Sequence, residues 1–72
     1  MTLELIYFHQ QRVPFHGFLL FLADQRVISI DNPEFLTFAE DGRSLSVFDP
    51  SGSVELIDPT LIVSLKINEP AQ

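Results

Sequence analysis

Turn-forming residues cut this chain into short apolar runs, and that punctuation constrains the fold more than any other feature. "ADQR" at 23–26 closes "FHGFLLFLA", "DNPEF" at 31–35 follows "RVISI", "EDGR" at 40–43 follows "FLTFA", and "DPSG" at 49–52 follows "SLSVFD". A last corner, "PTL" at 59–61, separates "SVELID" from "IVSLKI". Runs of this length between turns suit strands and are too short for most helices. The spacing therefore predicts a mainly β domain, a small antiparallel sandwich or barrel of about five or six short strands. With only 72 residues, two independent sheets would be thin, so a closed or nearly closed barrel of SH3-like or Sm-like size is the expected architecture. One domain accounts for residues 1–68, with residues 69–72 as a tail that has little to pack and frays. No internal linker, repeat or low-complexity tract is visible.

Within these runs the pattern of side chains assigns faces. "FHGFLLFLA" lacks polar alternation and reads as a strand buried on both sides. "RVISI" places Ile28 and Ile30 on one face; Leu45 and Val47 point inward between Ser44 and Ser46. The last strand is expected to turn Val63, Leu65 and Ile67 inward and Ser64 and Lys66 outward. Gln25 occupies the hairpin position where Gly would supply positive φ, at a cost of about 1–2 kcal/mol. Ahead of the strands, "TLELIYFHQQR" fits a short helix with Thr2 as N-cap and Leu3, Ile6 and Tyr7 on one face, although Leu3, Leu5 and Tyr7 also alternate as in a strand. Pro14 disfavours helical geometry at Val13.

Charge and composition narrow the function. Ten acidic residues against Arg12, Arg26, Arg43 and Lys66 give a net charge of -6, which handicaps nucleic acid as a partner, because such affinity comes largely from Lys and Arg. The apolar run "FLLFLA" is far shorter than the roughly 20 residues of a membrane-crossing helix. No basic region precedes an apolar stretch at the N-terminus, so a cytoplasmic location is expected. Cysteine is absent, so neither disulfides nor thiolate metal sites are anticipated. Hydrophobic residues make up 46% of the chain, much for so small a core, and some of that surface is expected to be covered by a homo-oligomer partner or another protein.

Five of the ten acidic residues fall between 31 and 49. A calcium loop needs Gly at its sixth position and Glu at its twelfth; from Asp31 these are Leu36 and Gly42, from Asp49 they are Val54 and Thr60. Asp31, Glu34, Glu40, Asp41 and Asp49 instead sit where turns place Asp, Asn and Pro. His9 and His16 do not pair on one helix turn or hairpin, no serine lies in a strand-turn-helix elbow, and three glycines form no phosphate cradle. No catalytic residue, cofactor or metal is expected. Phe48 lies out of phase with Leu45 and Val47, and is the candidate interface residue.

The string from "PFHGFLLFLADQRVISI" to "LIVSLKI", residues 14–67, resembles a family of short bacterial proteins of uncharacterised activity. Its pattern, Pro-Phe, "DGR", "HPEFL", "GR" and "ID", is matched at Pro14, Phe15, Asp24, Arg26, Pro33, Glu34, Phe35, Leu36, Gly42, Arg43, Ile57 and Asp58, and departs at Gln25 and Asn32. The resemblance implies a fold and a bacterial origin, not an activity. The order of elements is also similar to Sm-like barrels, including a ring-forming bacterial RNA chaperone. The segment that would carry that chaperone's basic, histidine-containing turn is here "LIDPTLIVS". Two function classes follow: a non-catalytic protein-interaction or self-association module, and, as the alternative, an RNA binder with Arg12, Arg26 and Arg43 gathered on one rim.

Overall fold

In a computed structural model that describes residues 1–68, one helix and six strands follow in the order α1 (Leu3–Gln11), β1 (Phe18–Leu22), β2 (Val27–Ile30), β3 (Leu36–Phe38), β4 (Leu45–Phe48), β5 (Val54–Ile57) and β6 (Ile62–Ile67). The tail expected at 69–72 lies outside the described residues. The Thr2 side chain accepts from the Leu5 amide at 3.4 Å and caps α1, and Ile6 is the helix residue fully buried against the sheets. Tyr7, expected on the same face, is 53% exposed and meets Phe38 edge-on. The segment is helical over Leu3–Gln11 and does not form the alternative strand.

The strands form two antiparallel three-stranded sheets, ordered β2-β1-β6 and β3-β4-β5. The closed barrel expected from length does not form among the described residues. Two single-turn 3-10 segments, Pro33–Phe35 and Pro59–Leu61, carry the chain from one sheet to the other. Each is entered through a polar cap: Asn32 accepts from the Glu34 amide at 3.0 Å and Asp58 from the Thr60 amide at 2.9 Å. Each leaves through a buried aliphatic, Leu36 or Ile62. Proline at the first position of each turn presets φ and donates no amide that the turn would leave unpaired.

The two sheets are versions of one unit, a repeat not apparent in the sequence. An offset of 27 residues carries the pair Phe18↔Ile30 onto Leu45↔Ile57, and Phe21↔Val27 onto Phe48↔Val54. Exchanging β1, β2 and β3 with β4, β5 and β6 turns the order β2-β1-β6 into β5-β4-β3, which is the second sheet. Each half lends its third strand to the other half's hairpin, so neither sheet is complete without both. The residues at equivalent positions differ in identity, but the inward positions Phe18, Ile30, Leu45 and Ile57 are all apolar and buried.

β6 corrects one expectation. Opposite Phe21 and Leu22 stand Ser64 and Ile62, so Val63 is the extra residue of a β-bulge. The bulge shifts the phase by one, which buries Ile62 and leaves Val63, expected inward, 63% exposed. β1 is central as expected, with Phe18, Leu20 and Leu22 buried; Leu19 and Phe21 on the other face are half-buried. Gln25 has φ 73°, in the left-handed region its position demands.

Candidate functional site

Acidic residues of the central stretch and its neighbours are spent on turns. Asp24, Asp41, Asp49 and Asp58 each accept, through a side-chain oxygen, the backbone amide two residues on: Arg26 at 3.1 Å, Arg43 at 2.9 Å, Ser51 at 2.7 Å and Thr60 at 2.9 Å. In "DPSG" the Gly52 amide closes on the Asp49 carbonyl at 2.8 Å, and Gly52 takes φ 98°. These bonds favour the carboxylate form. The backbone amides of Arg26, Ser51 and Thr60 thus hold the carboxyls of Asp24, Asp49 and Asp58 below their ordinary value. Asp31 accepts from the Ser29 hydroxyl at 2.9 Å. Among the described residues no group of three or more His, Asp or Glu side chains is placed to hold a metal ion. His9 lies edge-on to Phe8 in the last turn of α1, while His16 precedes β1.

A groove runs between β2 and β5, each an outer strand of its sheet. Each is hydrogen-bonded to one neighbour only, so alternate backbone amides and carbonyls face away from the sheet. Val27, Ile28 and Ser29 form one wall; Ser53, Val54 and Glu55 form the other; Phe35 and Val47 lie between them. Phe48, turned outward from β4 and 38% exposed, borders the groove beside Asp49. Its volume is about 570 Å³, within the roughly 300–1,000 Å³ of ligand clefts.

One ion pair joins the two walls. The Arg26 guanidinium reaches Glu55 at 2.5 Å and Asp24 at 2.8 Å, and its hydrogen bond to Glu55, ahead of that to Asp24, raises its pKa further. Both carboxylate partners and Arg26 itself remain about half exposed. The pair therefore orients side chains more than it stabilises the fold. Glu55 occupies an inward-phase position, opposite Val47 and two residues before buried Ile57.

The three arginines of the RNA-binding alternative sit in different settings. Arg26 leads into β2, Arg43 lines a shallow cleft with Glu4 and Asp58 at the start of α1, and Arg12 caps the end of α1. Sequence reasoning singled out Phe48 and Arg26 but missed Val27, Val54 and Glu55. Two signals marked them: Val27 and Val54 lie out of phase with the core residues of their strands, and Glu55 interrupts an apolar run in phase.

No family model, curated protein or solved structure matches this chain. No helix among the described residues is long and apolar enough to cross a membrane.

Proposed function

We propose that this chain is a non-catalytic protein-interaction module which accepts an extended segment of another protein along the open edges of β2 and β5. The supporting observation is the groove itself: two outer strands, each paired on one side only, border one trough lined by both apolar and acidic side chains, the geometry used when a peptide adds a strand to a sheet. On this reading the fold is a small barrel of the SH3-like or Sm-like kind, opened on one side. A cytoplasmic location and kinship with the short bacterial proteins it resembles are part of the same proposal.

The side-chain chemistry supports a binding role over an enzymatic one. General acid or base work at neutral pH calls for a carboxyl raised toward 7 in a dry pocket, whereas Asp24, Asp49 and Asp58 are exposed and lowered. An Sm-like RNA binder is the competing proposal. It needs Arg26 for phosphate, and Arg26 already engages Asp24 and Glu55.

A titration followed by two-dimensional amide NMR tests the proposal. A neutral extended peptide alternating Val and Thr is expected to shift the amides of Val27–Ser29 and Ser53–Glu55 and to leave those of α1 in place. Shifts confined to α1, or their absence up to millimolar peptide, would refute it.

A further inference from the structure

The lining of the groove also specifies the partner. Resting on the docking role proposed above, we infer that the segment bound between β2 and β5 is basic and apolar in alternation, with Lys or Arg between β-branched or aromatic residues. Three lining residues are acidic, Asp31, Asp49 and Glu55, and none is basic. Arg26, at the border, pairs with Glu55 and with Asp24, which leaves Asp31 and Asp49 as the acidic lining residues outside that ion pair. Those two carboxylates and a whole-chain charge of -6 attract a cationic segment and repel an anionic one.

Apolar contacts alternate with these charges. Phe35 and Val47 line the groove, and Val27 and Val54, equivalent under the offset of 27, add apolar side chains from both strands. Side chains of an extended chain point alternately to opposite sides. One set then meets these apolar residues while the other reaches Asp31 at the end of β2 and Asp49 at the start of the β4–β5 turn. The Ser51 amide keeps Asp49 ionised well below neutral pH.

Charge also excludes the obvious competitors. A second copy brings another -6 and only four basic side chains, and nucleic acid brings phosphates to an acidic trough. Neither complements Asp31 and Asp49. A basic strand does.

Fluorescence anisotropy with three labelled hexapeptides, (Val-Lys)3, (Val-Thr)3 and (Val-Glu)3, separates the two levels of the proposal. The Lys peptide is expected to bind at least ~10-fold tighter than the Thr peptide, about 1.4 kcal/mol, and the Glu peptide more weakly than either. Raising salt from about 50 to 200 mM shortens the screening length and should shrink the Lys advantage. The double variant Asp31→Asn, Asp49→Asn keeps side-chain size and the oxygen that accepts the Ser51 amide, and should bind the Lys and Thr peptides nearly equally. Equal binding of all three peptides to the native chain overturns the basic preference and leaves the docking role standing. Binding of none overturns both. A Lys preference untouched by the double variant places the cation elsewhere and overturns the inference. So does a dimer by light scattering that Val54→Asp dissolves, since the groove is then filled by a second copy.

Discussion

The hairpins β1–β2 and β4–β5 occupy equivalent places in the fold, yet they differ in what they bury and what they expose. At the first, the strand in the middle of its sheet is apolar throughout, from Phe18 to Leu22; at the second, Leu45-Ser46-Val47-Phe48 includes a serine. Ile28 in β2 corresponds to Glu55 in β5, and both are half-buried on the inward side. Equivalent positions thus hold an aliphatic side chain in one half and a carboxylate in the other. The first hairpin buries Phe18, Leu20, Leu22 and Ile30, the second Leu45 and Ile57.

Substitutions at equivalent positions should separate the two hairpins most strongly. Leu20 and Val47 are equivalent, but Leu20 is fully buried and Val47 only partly. Leu20→Ala is expected to cost ~2–5 kcal/mol, enough to unfold much of a chain of this size, whereas Val47→Ala costs about 1 kcal/mol. Urea midpoints measure both, and equal losses would mean that the two hairpins share the load. The caps come next: Asn32→Ala should cost about 1 kcal/mol, the usual value of a polar N-cap.

Asp58 fills the equivalent cap with a titrating group, which sharpens the comparison by pH. Its carboxyl is held low in the folded state by the Thr60 amide and hydroxyl. Its contribution is therefore fully present above the ordinary carboxylate range and is lost as pH falls through the lowered value. Asp58→Asn, which copies the chemistry of Asn32, should show a shallower loss of stability on acidification than the native chain. Parallel acid profiles would remove the cap as a source of pH dependence.

Smaller effects distinguish the two turns. The β1–β2 turn forces Gln25 to φ 73°, while the β4–β5 turn uses Gly52 at φ 98°. Gln25→Gly is expected to gain about 0.5–1 kcal/mol, read as a rise in Tm, and an unchanged or lower Tm would show the strain already relieved. The smallest stability effect belongs to Glu55→Gln. It removes an exposed ion pair and should leave the urea midpoint nearly unchanged while weakening binding of (Val-Lys)3.

Local signals in the sequence located every element. Asp24, Asn32, Asp41, Asp49 and Asp58 mark five turns whose side-chain bonds the structure contains, because an Asx turn depends on neighbours two residues away. Thr2 and the periodicity of Leu3 and Ile6 marked α1 for the same reason. The bulge at Val63 was not legible, since it depends on which residues of β1 stand opposite. Closure of the barrel was misjudged because the two 3-10 turns redirect the chain between sheets, and their consequence is set by packing rather than by "DNPEF" or "DPTL" alone. Of the site, Phe48 was visible as an out-of-phase aromatic. The groove was not, because its walls come from strands 27 residues apart that share no hydrogen bonds.

The open edge between β2 and β5 is the premise of the whole account, and amide hydrogen exchange tests it most directly. In the free protein alternate amides of Val27–Ile30 and Val54–Ile57, those facing away from β1 and β4, should exchange as fast as exposed loop amides, and they should slow when (Val-Lys)3 is added. If every amide of both strands is already protected in the free chain, the two edges are paired, the barrel is closed, and the docking groove does not exist.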